Sequence, residues 1–167
     1  MRWLRFAVLI LTVTVLQKGL LGRLDIKPDL LVILLVFFSI YSNTSEAIIS
    51  SFTLGFAADL IGSPMPMGPH MISFGLLGTA LAYLHRVIAI RKMPSQALAI
   101  FITAILTSTL THFLAYLIKG EPVSANIYGV VFGTSLYSGL VGPFLFLPLA
   151  WWMRIKISRF GQRWAHK

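Results

Sequence analysis

Four ionisable side chains stand inside or at the edges of apolar sequence: Asp29, Asp59, His70 and His112. Carboxylates and imidazoles together could move protons or hold a metal ion. Their spacing argues against both. There is no His-x-x-x-His pair, and no two carboxylates share one helix at catalytic spacing. Nucleophile elbows, phosphate-binding loops and intramembrane protease motifs are also missing. The four residues fall on four different apolar segments, so each is expected to bond a neighbouring helix. The sequence therefore predicts no enzyme, no metal and no cofactor.

Asp59 is the most informative of the four. It sits in Gly55-Phe56-Ala57-Ala58-Asp59-Leu60-Ile61, and a carboxylate in such a segment is costly unless paired. It is about three residues, roughly 5 Å, from the end of its helix. Two roles are open to it: pinning that helix end to the following loop and to His70 or His112, or meeting a partner or substrate. Under the first role Asp59→Asn is expected to be mild. His112 lies about six residues, roughly 9 Å, from the end of its own segment.

The elements that position these groups are membrane helices. Of the 167 residues, 57% are hydrophobic and 11% charged, against about 25% charged in soluble domains. So little charge cannot cover a water-facing surface. The net charge of +9 does not signal nucleic-acid binding, because Lys and Arg cluster at the ends of apolar runs and in the tail. With no cysteine, disulfides and thiolate metal sites are excluded.

Six apolar segments are expected to be helices, because backbone groups in lipid must bond within their own segment. They cover about 3–21, 29–41, 46–62, 69–86, 95–118 and 126–153, and make one six-helix domain over 1–153. The first is a retained helix rather than a cleaved signal, since no small-x-small site follows it. About thirteen residues in the second give roughly 20 Å, short of a core of about 30 Å. It must extend through Ser42 to Thr44 or be shielded by its neighbours. The sixth is kinked or broken at Pro143 and Pro148. Lys27-Pro28-Asp29 ends one helix and lets Asp29 cap the next. Small residues at Gly78/Ala82, Gly129/Gly133 and Ser138/Gly142 mark close helix contacts, within the bundle or with another membrane protein.

With six spans, ten of the Lys and Arg residues (Arg2, Arg5, Arg86, Arg91, Lys92, Arg154, Lys156, Arg159, Arg163, Lys167) fall on one side and four (Lys18, Arg23, Lys27, Lys119) on the other. This bias puts both termini in the cytoplasm. The tail, 154–167, is basic, with Arg154, Lys156, Arg159 and Arg163, and Ile157, Phe160 and Trp164 recur on one helical face. It reads as an interfacial helix on anionic lipid, with docking to a cytoplasmic protein as the other reading.

Lys27-Pro28-Asp29-Leu30-Leu31-Val32-Ile33-Leu34 resembles the opening of the second helix in the rod shape-determining protein MreD family. The resemblance continues through Gly55-Phe56-Ala57-Ala58-Asp59-Leu60, the Gly- and Pro-containing stretch 62–67, and Gly68-Pro69-His70. It covers about 25–78 in motif and the remainder in hydropathy. It implies a non-enzymatic, multi-pass scaffold of the bacterial inner membrane, which maintains rod shape and guides lateral peptidoglycan synthesis. The partners it implies are an MreC-like protein, RodA, a class B transpeptidase and the MreB cytoskeleton. The implied fold is similar to the substrate-binding subunits of energy-coupling-factor transporters. That similarity supplies a rival reading, a vitamin-binding transport subunit. Against the rival, the first helix lacks an Ala-x-x-x-Ala coupling face, being bulky after Ala7.

Overall fold

The computed structural model describes residues 2–19, 28–61, 68–87, 93–119 and 127–153. These form six helices: α1 (Arg2–Gly19), α2 (Leu30–Tyr41), α3 (Thr44–Ile61), α4 (Pro69–Val87), α5 (Met93–Lys119) and α6 (Ile127–Met153). The basic tail, with Arg154, Lys156, Arg159, Arg163 and Trp164, lies outside the described residues. Below, the upper end of the bundle is the one where α2, α4 and α6 begin.

Helix α2 is the hub. It packs against all five other helices, and every residue from Leu31 to Ser39 is buried. A short helix whose whole circumference is apolar is stable only when other elements surround it. Its length problem is therefore solved by shielding, not by extension: the helix stops at Tyr41, and Thr44 already belongs to α3. Asn43 opens α3, accepting the Ala47 N–H at 2.8 Å.

Aromatic rings lock the lower half of α2. Phe6 of α1 meets Phe38 edge-on at 4.9 Å, and Phe146 of α6 meets Phe37 at 5.4 Å. The Gln96 amide of α5 donates to the Tyr41 hydroxyl at 2.9 Å. The Ser39 hydroxyl bonds the Gly78 carbonyl of α4 at 3.2 Å. Gly78 suits this close approach, because a Cβ there would collide with the Ser51 and Leu35 side chains.

Around this apolar centre some hydroxyls are buried and the exterior is unusually apolar. The buried residues include Ser39, Ser50, Ser51, Ser73, Thr107 and Ser138, while Leu11, Phe144 and Trp151 are well exposed. Several buried hydroxyls bond carbonyls of their own helix, as Ser51 does to Ala47 at 2.6 Å and Ser73 to Pro69 at 2.7 Å. Such an exterior suits hydrocarbon. Among the described residues two helices, over Pro94–Ile118 and Tyr128–Met153, are long and apolar enough to cross a membrane by length and composition. The fold is all-helical, as a helical membrane protein requires.

Helix α6 runs unbroken through Pro143 and Pro148, so it is not split in two. The small-residue pairs divide. Gly78 and Ala82 face the interior. Ser138 is buried, and a Cβ on Gly142 would meet Ile100 at 2.4 Å. Gly129 has open space around it among the described residues.

Candidate functional site

The polar chemistry of the bundle gathers into two networks near its upper end. Each is built on a carboxylate that caps a helix.

The first centres on Asp59. Gly55 and Asp59 are four residues apart and so share a face of α3. A Cβ on Gly55 would lie 2.6 Å from Met71 Cα and 2.7 Å from the His70 carbonyl. Only glycine permits the first turn of α4 to come this close. The approach brings the α4 backbone onto the carboxylate one turn along. Asp59 Oδ2 accepts the N–H groups of Gly68 at 2.9 Å and Met71 at 3.1 Å. Oδ1 accepts the N–H of His70 at 3.1 Å and faces His70 Nδ1 at 3.0 Å.

This is an N-cap supplied by another helix. Gly68 sits at the cap position with φ +124°, a conformation that excludes most side chains. Its carbonyl receives the first helical bond, from Ile72 N–H at 2.9 Å. Pro69 follows at the first helical position, where a missing N–H costs nothing. The donors a helix normally leaves unpaired at this end are those of the cap and the next residues, and Asp59 takes them. Its negative charge also faces the positive end of the α4 dipole. The Asp59 side chain is 3% exposed and that of His70 28%, so the pair seals the junction from within.

The second network centres on Asp29. Oδ1 accepts Leu31 N–H at 3.1 Å and Val32 N–H at 3.3 Å, capping α2. Gln17 of α1 donates its amide to the same oxygen at 3.2 Å. The Asp29 N–H donates to Ser138 Oγ of α6 at 2.7 Å. One residue thus ties α1, α2 and α6 together.

The level of Asp29 differs along the neighbouring helices. Gln17, which meets the same carboxylate, is about two residues from the upper end of α1, whereas Ser138 lies about eleven residues, roughly 16 Å, below the start of α6. The half-buried cap of the short α2 thus meets α6 well below its end.

His112 lies half-buried on α5 and takes no part in either network, so the partner of Asp59 is His70. The four residues are not one cluster. Among the described residues no three His, Asp or Glu side chains gather at metal-binding distance. The sequence missed Gly55, Gly68, Gln17 and Ser138 as parts of these networks. The four-residue step from Gly55 to Asp59 was the readable signal. Nothing local in the sequence pointed to Ser138 beside Asp29, since they are 109 residues apart.

Arrays of this kind hold helices together and leave little capacity for proton chemistry, because the carboxylate oxygens are occupied by main-chain donors. Comparison with protein families gives the same direction. The model of rod shape-determining protein MreD matches residues 1–156, essentially the whole chain.

The chain belongs to the MreD family.

Comparison with curated proteins and with solved structures found no match. Membership makes this chain a rod shape-determining membrane protein of a structural kind. In this MreD-family chain Gly55, Asp59, Gly68 and His70 are parts of one interhelical cap, and Asp29 is the cap of the buried hub helix.

Proposed function

We propose that this chain is a non-enzymatic scaffold of the cell-elongation machinery, crossing the bacterial inner membrane six times with both termini in the cytoplasm. It engages an MreC-like protein and, through it or directly, RodA, a class B transpeptidase and the MreB cytoskeleton, and so guides lateral peptidoglycan synthesis. It uses no cofactor or metal. Its compact bundle is similar in kind to the substrate-binding subunits of energy-coupling-factor transporters.

The observation that carries this reading is the use of the two acidic side chains. Asp59 is occupied by three main-chain N–H groups and His70, and Asp29 by two main-chain N–H groups and Gln17. Polar groups spent on fixing helix ends suit a protein whose product is a shape presented to partners. The family match supports rod-shape determination, and the ten-to-four charge bias supports the orientation.

The test is depletion in a rod-shaped host, followed by complementation with this chain. Rounding of the cells, dispersed wall synthesis and co-purification of an MreC-like protein from native membrane are the expected results. If shape is unchanged and uptake of one vitamin is lost, the transport reading replaces this one.

A further inference from the structure

The five helices around α2 close a ring in the order α1, α3, α4, α5, α6, each touching the next and α6 touching α1. The α3–α4 edge lies across this ring from α6, and neither helix of that edge touches α6. The two sides present apolar surfaces of very different height.

On the α3–α4 side the apolar surface is low. At its lower edge Asn43 and Ser45 are exposed and Glu46 is half-buried. At its upper edge stands the Asp59–His70 pair, with the His70 side chain 28% exposed. Glu46 and Asp59 are about thirteen residues apart on one helix, or about 20 Å. Thr53 is exposed between them, and it turns its hydroxyl back onto the Ile49 carbonyl at 2.8 Å. Along α4 the exposed apolar residues run from Met71 to Leu84, again about 20 Å. The sequence then turns to His85-Arg86.

On α6 the apolar surface is tall. None of its 27 residues is charged. Tyr128 is 72% exposed and Trp151 80%, and they are separated by about twenty-three residues, or about 35 Å. Aromatic rings at both ends of a span mark the two interfaces. Helix α5, between the two sides, is intermediate: its exposed apolar residues run from Leu98 to Ile118, about 30 Å.

A bilayer core is about 30 Å thick, so it matches neither extreme. Tilt cannot level the two sides, because tilt only shortens a span. To match α3, α6 would have to lean by about 55°, outside the range of about 0–40° for membrane helices. A flat bilayer set to α6 would draw Glu46 and His70 into hydrocarbon, which is costly for ionisable groups. One set to α3 would leave the apolar ends of α6 in water.

We infer that the bundle sits in the bilayer as a wedge, with the lipid thinned against α3 and α4 and at full height against α6. Lipid is the occupant of the low side, because a deformable layer can meet both heights at once. The inference rests on the membrane reading of the chain and not on its role as a scaffold.

Matched positions make the test. The Ser39 bond to the Gly78 carbonyl sets these two residues level, and Leu30 and Pro69 are each about nine residues above them. Asp29, next to Leu30, meets Ser138. Met71 and Leu140, about two residues below Pro69 and Ser138, therefore share a height on different sides, and both are exposed.

The chain has no cysteine, so single cysteines carrying a nitroxide can be read one at a time in lipid nanodiscs. Oxygen, which concentrates in hydrocarbon, and a nickel chelate, which stays in water, together report the depth of each label. The label at Met71→Cys should be at least about threefold more accessible to the chelate than that at Leu140→Cys. Labels at Leu76→Cys and Phe144→Cys, about 10 Å lower, should both be deep. A scan of Ile49, Phe52, Phe56 and Leu60 against Val130, Leu136, Leu140, Phe144 and Leu147 then gives the height between interfaces on each side. The expected heights are about 20 Å along α3 and about 30–35 Å along α6. Equal heights refute the wedge, and if Met71 and Leu140 still differ, the bundle merely tilts. Access of the chelate at every position removes the membrane reading itself.

Discussion

Asp59→Leu should be the most damaging single change at the α3–α4 junction. It leaves the N–H groups of Gly68, His70 and Met71 facing a hydrocarbon side chain in a site that is nearly sealed. Loss of a helix N-cap costs about 0.5–2 kcal/mol. Loss of a negative charge at a partly buried helix N-terminus adds up to about 2 kcal/mol. Together they give a destabilisation of about 1–4 kcal/mol, drawn toward the lower end by the modest value of hydrogen bonds between membrane helices, about 0.6 kcal/mol on average. Asp59→Asn, expected to be mild from shape alone, should cost more on this geometry. Both carboxylate oxygens accept main-chain donors, so the amide NH2 must point at one of them, and the charge facing the α4 dipole is lost. His70→Ala removes one contact and leaves three main-chain bonds in place. The expected order of damage is therefore Leu, then Asn, then His70→Ala. Thermal unfolding in detergent, followed by loss of the monodisperse size-exclusion peak, reads the order. If Asp59→Leu unfolds at the temperature of the parent, the interhelical cap is not a structural pin and the reasoning fails. If it is equally stable but no longer retains its MreC-like partner, Asp59 belongs to the partner surface.

Gly55→Val should destabilise by about 1–3 kcal/mol through overpacking, since its Cβ would strike the α4 backbone; the control Gly129→Val, in open space, should leave the unfolding temperature unchanged. On the six-span orientation, cysteines at Ser63 and Ser124 should react with an impermeant thiol reagent added to intact cells, and cysteines at Ser95 and Ser158 should not. Reaction at Ser158 from outside would invert the topology. A peptide of residues 154–167 should bind vesicles containing anionic lipid at low salt and release as salt rises. Indifference to lipid charge would remove the interfacial role of Arg154, Lys156, Arg159, Arg163 and Trp164.

The helices were legible because hydrophobicity in lipid is written in long runs, and their observed ends differ from expectation by about two residues, the usual fraying. Asp29 as a cap was legible too, because Pro-Asp before an apolar run is local turn chemistry. What the sequence could not convey was depth. A capping carboxylate is assumed to lie where its helix meets water, and that holds only if the helix is as long as the membrane is thick. Helix α2 is not, and only packing against α6 reveals that its cap meets Ser138, well below the start of α6. The role of Gly129 was illegible for a related reason. Small residues at four-residue spacing permit a close approach, but whether a neighbour arrives is decided by the rotation of the helix in the bundle.

The two caps solve one problem by opposite means. A helix that starts inside a membrane protein exposes unpaired N–H groups that lipid cannot satisfy. Helix α2 uses its own preceding residue, Asp29, and the carboxylate is then steadied by Gln17 while its N–H reaches Ser138. Helix α4 is preceded by glycine, which has no side chain to give, so the acceptor comes from Asp59 on α3. The borrowed cap makes α3 and α4 one unit: separating them would strip the start of α4 of its acceptors. The local cap needs no residue of α1: the Gln17 amide bond to Asp29 adds to the packing of Ile10 and Val13 on the core, and α2 keeps its capping bonds without it. The tight coupling of α3 to α4 and the self-sufficient start of α2 thus follow from where each carboxylate sits in the chain. A stability scan should therefore find Gln17→Ala far milder than Asp59→Leu, although each removes a bond to a capping aspartate or the aspartate itself.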